Sequence, residues 1–233
     1  MSIQKSEIRL DVNGRPVNAY LASPAESGGP GVLVLHAWWG LKPFFKQLCD
    51  QLAEHGYTAL APDLYQGRIA VTIDEAKALQ EKSESDLELM GDMVKAAKDH
   101  LASLRTGKPI GVLGFSMGAA WAVVTAAKEP NVAATVLFYG SYSVDFSKAK
   151  SKFLGHFSDN DEWEPMDGAR AMEQDMKNAG LDVTLHIYPK VGHWFVEEDR
   201  PEYNAAAAQL AWERTFEFLR TSLRAAQRRN NRI

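Results

Sequence analysis

The chain has 233 residues, 45% of them hydrophobic and 24% charged, with a formal net charge of −4. That length is enough to bury a substantial core and short enough for a single α/β domain, expected over residues 1–233, and the mild acidity offers no electrostatic footprint for nucleic acid or an anionic membrane. A lone cysteine, Cys49, excludes an internal disulfide and a cysteine metal cluster.

The opening MSIQKSEIRL lacks the apolar core of a signal peptide, and the longest apolar run, GVLVLHAWWG, is too short to span a bilayer. A soluble, cytoplasmic protein is expected. In EIRLDVNGRPVNAYLASP, polar and apolar residues alternate on either side of Asn13-Gly14, which predicts a β-hairpin closed by a type I′ turn. GVLVLH then reads as a strand buried on both faces. Pro43 to His55 reads as a helix closed by Gly56, with Cys49 as a buried thiol within it, and YTALAPDLY as a strand running into a loop.

Two helices with a break near Ser83 follow, because Thr72 with Glu75 and Ser85 with Glu88 both have capping-box spacing. The second is expected to end at Thr106-Gly107. The remainder alternates: strand PIGVLGF, helix GAAWAVVTAAK, strands VAATVLFY and SKFLGHFS, helix PMDGARAMEQDMKNAG, strand DVTLHIYP, and a helix from about Tyr203 to Arg224. The basic end RAAQRRNNRI reads as a frayed, solvated tail. Strands alternating with helices imply a mostly parallel sheet with helices on both faces.

The sharpest motif is Gly114-Phe115-Ser116-Met117-Gly118 between an apolar strand and an alanine-rich helix, the setting of a nucleophile elbow. The turn is so tight that small residues must flank the nucleophile, and its hydroxyl sits at the positive end of the next helix. An ordinary glycine-rich turn would leave the serine idle, but pattern and setting together favour catalysis.

A serine hydroxyl needs a base. Of six histidines, His193 stands on a loop just after a strand, at the edge where such a base is needed. His186 and His156 lie within strands, His55 and His100 in helices, and His36 ends a strand beside the loop His36-Ala37-Trp38-Trp39-Gly40. The third member should be an acid between Ser116 and His193 in the chain. SDNDEWEP offers Asp159, Asp161, Glu162 and Glu164, and spacing does not choose among them. The oxyanion hole is expected from the backbone N–H of Met117 and that of Trp38.

These residues resemble the dienelactone hydrolase family of α/β-hydrolases over nearly the whole chain, in HAWWG, GYTALAPDLYQG, GFSMG, DNDEWEP and GHWFVEEDRPEY followed by AAAAQLAWERTFEFL. The resemblance implies the α/β-hydrolase fold and ester or lactone hydrolysis. It also implies the acid, which in this family stands four residues before a proline: Asp161, given Pro165. The chain departs from dienelactone hydrolases proper in its serine nucleophile and in Ala37, where they carry a glutamate. Their two carboxylate-binding arginines correspond here to Glu197 and Gly67, with Arg68 one step displaced. A site without arginine clamps binds carboxylates poorly, so a small neutral ester or lactone is the expected substrate.

The pocket is expected to be lined by Trp39, Tyr65, Phe115, Tyr142, Trp163 and Trp194, although core packing would account for large residues of this kind equally well. No cofactor or metal is called for: no HExxH-type spacing occurs. Two other readings use the same residues: an acyltransferase on the same triad, and a binding protein of this fold without catalysis.

Overall fold

In the computed structural model, which describes residues 2–26 and 28–230, Asn13 and Gly14 adopt φ of 53° and 78°. They turn β1 (Ile3–Val12) back on β2 (Arg15–Pro24), with Val12 opposite Arg15. This is the predicted hairpin; Asp11 Oδ1 accepts the Gly14 N–H at 2.8 Å and holds the turn. Chain contacts divide into two units, Met1–Ile110 and Gly111–Ile233.

In the first unit the strand order is β1-β2-β4-β3, with β3 at Gly31–Leu35 and β4 at Thr58–Pro62. β4 runs antiparallel to β2 and parallel to β3. Every residue of β3 and β4 is buried, as unbroken apolar runs require. Helix α1 (Pro43–Glu54) begins with proline, which has no N–H to leave unpaired, and ends before Gly56 at φ 90°. Its buried residues Phe45, Leu48, Cys49, Leu52 and Ala53 fall at the 3–4 spacing of one helical face.

The Thr72 capping box starts α2 (Ile73–Glu84) as expected. The second expected box does not form. Ser85 closes α2, and Asp86 caps α3 (Leu87–Leu104) by accepting the Leu89 N–H at 3.1 Å. With Ser85 already serving the preceding helix, the carboxylate next to it takes over the start of the following one.

In the second unit the strand order is β5-β6-β7-β8, at Ile110–Phe115, Val132–Phe138, Lys152–Ser158 and Val183–Tyr188. β6, β7 and β8 are parallel. Between them come α4 (Met117–Lys128) and α5 (Met166–Asn178). The final helix, α6 (Ala205–Asn230), starts after Asn204, whose side chain accepts the Ala207 N–H at 3.0 Å. It runs six residues past the expected end at Arg224, because Leu219, Ser222, Leu223 and Ala226 continue one buried stripe. The frayed tail is therefore helical to Asn230; residues 231–233 lie outside those described.

Candidate active site

Ser116 links β5 to α4 with φ 51° and ψ −115°, a conformation that costs a non-glycine residue about 1–3 kcal/mol. Its surroundings enforce it. The Ser116 N–H donates to Phe138 O at 2.9 Å, and Ser116 O accepts the Ala119 N–H at 2.8 Å. A Cβ on Gly114 would stand 2.3 Å from Gly118 O, and one on Gly140 would stand 2.5 Å from Ser116 O. The first glycine is part of the motif. The second, after β6, packs against that turn and has no sequence signal of its own.

His193 lies on the loop after β8 and Asp161 on the loop after β7. Side-chain contacts tie these loops together. Ser158 Oγ donates to Val191 O at 2.5 Å, and Asp159 Oδ1 accepts the Lys190 N–H at 2.8 Å. His193 Nδ1 is 2.8 and 2.7 Å from the two Asp161 oxygens, and His193 Nε2 is 2.9 Å from Ser116 Oγ. Asp161 Oδ1 also accepts the N–H groups of Trp163 and Glu164, both at 2.9 Å. As a carboxylate acceptor, Asp161 assigns the imidazole proton to Nδ1, which leaves Nε2 to accept from the serine hydroxyl. The Asp161 and His193 side chains are only 2% and 3% exposed, so their attraction is little weakened by water.

Two buried residues lie behind His193: Tyr139, which no sequence signal singles out, and Glu197, expected only as the counterpart of a substrate-binding arginine. The ring of Tyr139 lies 4.8 Å from the imidazole, and its hydroxyl donates to Glu197 Oε1 at 2.7 Å. Burial, reinforced by the Glu197 charge, pushes the Tyr139 hydroxyl well above its usual range. Glu197 is fully buried. The position where the resemblance expects a substrate-binding arginine thus holds a carboxylate bonded to the inside of its own unit. Only the positive φ of Tyr139 at the end of β6 marks the site, and that is not readable from residue type.

Of the expected pocket aromatics in this unit, Tyr142 and Trp163 present open surface, at 51% and 41% exposure. Trp163 packs 5.7 Å from the buried Trp194, which stands edge-on to His193 at 4.9 Å. Phe115 is a correction. It is fully buried, stacked on Phe138 at 4.6 Å, because its side chain points into the core from the last position of β5. It packs the core and offers no pocket face.

In the first unit, Trp38 and Trp39 are buried and meet edge to face at 5.5 Å. His36 shapes their turn: its Nε2 accepts the Leu64 N–H at 3.1 Å, so its Nδ1 carries the proton and donates to Ala37 O at 2.7 Å. Burial lowers its basicity accordingly. Tyr65 is buried edge-on to His36 and, with the exposed Arg68, borders a cavity of about 200 Å³ floored by Leu79, Met90 and Met93.

A model of the dienelactone hydrolase family matches residues 17–223, across both units. The chain belongs to the dienelactone hydrolase family. It is 33% identical over 93% of its length to Protein usf of Aquifex pyrophilus, covering 98% of that protein. It is 32% identical, with the same coverage, to an Aquifex aeolicus protein provisionally named a carboxymethylenebutenolidase. Among solved structures, a Klebsiella pneumoniae protein provisionally named a dienelactone hydrolase matches with a TM-score of 0.81 at 26% identity, covering 94% of this chain and 98% of that one. The fold is accordingly that of the α/β-hydrolases, and the family's enzymes hydrolyse esters and lactones. Among the described residues, no helix is long and apolar enough to cross a membrane.

Proposed function

We propose that this member of the family is a serine hydrolase that cleaves a small neutral ester or lactone through an acyl-serine intermediate. The observation that carries the reading is His193, whose two ring nitrogens reach Asp161 on one side and the Ser116 hydroxyl on the other. His193 Nε2 takes the hydroxyl proton as Ser116 Oγ attacks the acyl carbon. The negative charge that develops on the acyl oxygen is met by the Met117 backbone N–H at the start of α4. The imidazolium, stabilised by Asp161, returns its proton to the departing alcohol. Water activated by the same nitrogen then hydrolyses the acyl-enzyme and restores Ser116.

The preference for a neutral substrate is supported by Glu197 and Gly67 at the positions of the family's carboxylate-binding arginines. The open faces of Trp163 and Tyr142 suit an apolar acyl or alcohol group. A cytoplasmic setting is part of the proposal. The buried thiol Cys49 is suited to it, since nothing in its place asks for an oxidising compartment.

The test is a panel of neutral aryl esters and carboxylate-bearing lactones, run beside labelling by a fluorophosphonate probe. The wild type is expected to hydrolyse the neutral esters faster and to be labelled, and Ser116→Ala to do neither. An unlabelled wild type sinks the acyl-serine mechanism. Faster turnover of the anionic lactones sinks the substrate assignment.

A further inference from the structure

Glu164 follows Asp161 by three residues, and its backbone N–H donates to Asp161 Oδ1 at 2.9 Å. Its carboxylate accepts the hydroxyl of Ser141, 23 residues earlier in the chain. Ser141 in turn follows Gly140, whose backbone is pressed against the nucleophile turn, where a Cβ would stand 2.5 Å from Ser116 O and 2.8 Å from the Ala119 Cβ. Gly168, in the first turn of α5, leaves room for the pairing. A Cβ there would come 2.9 Å from Ser141 Oγ and 3.5 Å from Glu164 Oε1.

A half-buried carboxyl beside another carboxylate carries a desolvation cost, which the hydrogen bond from Ser141 offsets in part. Burial raises the Glu164 carboxyl above its usual range, while the Ser141 hydroxyl and the His193 charge oppose that rise. The contacts form a continuous path: Ser116 to Gly140 by packing, Ser141 to Glu164 by hydrogen bond, Glu164 to Asp161 by hydrogen bond.

We infer that Ser141 and Glu164 are a positioning pair that anchors the acid turn to the nucleophile turn and keeps Asp161 seated on His193. The inference rests on the serine-hydrolase reading above. Neither residue acts on the reacting atoms directly; each works through Asp161.

The experiment measures kcat, KM and melting temperature of the full chain, with a neutral aryl ester, for Ser141→Ala, Glu164→Ala, Glu164→Gln and Gly168→Ala. Ser141→Ala and Glu164→Ala are each expected to lower kcat about tenfold through misplacement of the acid. KM should stay within about twofold, since ground-state binding is untouched. The double variant should lose no more than either single one, as a shared link requires. Glu164→Gln should recover most of kcat, because its amide oxygen still accepts the Ser141 hydroxyl.

Gly168→Ala separates positioning from folding. Its methyl group displaces the Ser141 hydroxyl, so kcat should fall as in Ser141→Ala. The melting temperature should hold or rise, because alanine suits a helix better than glycine. Full kcat in Ser141→Ala or Glu164→Ala overturns the inference, as does a loss confined to KM. Labelling by fluorophosphonate distinguishes the two failures: an unlabelled wild type defeats the serine-hydrolase reading itself, whereas a labelled wild type with an unimpaired Ser141→Ala defeats only the pair.

Discussion

His193 and His156 are both buried in the second unit, at 4% and 0% exposure, and consecutive residues of one segment pack on them. Tyr139 lies against His193 at 4.8 Å and Phe138 against His156 at 4.7 Å. Their ring nitrogens meet different chemistry. His193 has a carboxylate on Nδ1 and the elbow hydroxyl on Nε2. His156 has only hydroxyls, Tyr188 at 2.8 Å and Thr215 at 3.0 Å. Burial pushes His156 well below its ordinary basicity, and His186 and Arg214 act in the same direction. An imidazole between neutral partners is a core hydrogen-bonding element. One backed by a carboxylate can hold a proton in passing, and that separates a base from a packed histidine.

The sharpest way to break this contrast is at Ser116. Ser116→Ala should lower kcat on the order of 10⁵-fold, and residual turnover above about 1% of wild type would move the chemistry elsewhere. Asp161→Asn should come next, with roughly a 10⁴-fold loss, because the amide no longer selects the tautomer that leaves Nε2 open. Steady-state kinetics on a neutral aryl ester checks both.

At the other histidine the effect should appear in stability. His156→Leu is expected to keep kcat within about twofold while lowering unfolding stability by about 2 kcal/mol, since the Tyr188 and Thr215 hydroxyls lose a buried partner. Urea titration beside the kinetic assay would show it, and a matching collapse of kcat would make the two sites one.

The smallest expected effect is in pH. Folding holds His156 below its ordinary value of 6.5, and His186 is lowered too, by burial and by Arg214. The unfolded chain therefore takes up protons that the folded chain refuses. Stability from these groups is complete above 6.5 and declines as the pH falls toward their folded values. His156→Leu should show a shallower decline than wild type below that point in urea midpoints taken across the range. Equal slopes would mean that His156 is not held neutral.

Much of this was legible beforehand where the rules are local. The Asn13-Gly14 hairpin, the 3–4 stripe of α1, the Thr72 capping box and the glycines of the elbow all act within a few residues. The second capping box was misread because Ser85 and Asp86 both suit a helix boundary, and only their packing between α2 and α3 assigned one to each helix. Phe115 was misread because an aromatic ring beside a nucleophile serves a core as readily as a pocket.

Residue types and their order determined the alternation of strands and helices, the elbow around Ser116 and the choice of His193, because each depends on neighbours in the chain. The selection of Asp161 from four adjacent acids rested on family resemblance, and the geometry now sets only that one on the imidazole. Tertiary structure alone decided that a hydroxyl and an imidazole 77 residues apart would meet at 2.9 Å. It also decided that Tyr139, Gly140, Ser141 and Glu164 would gather around them. Such meetings depend on how parallel strands bring their terminal loops to one edge, and no spacing along the chain encodes that distance.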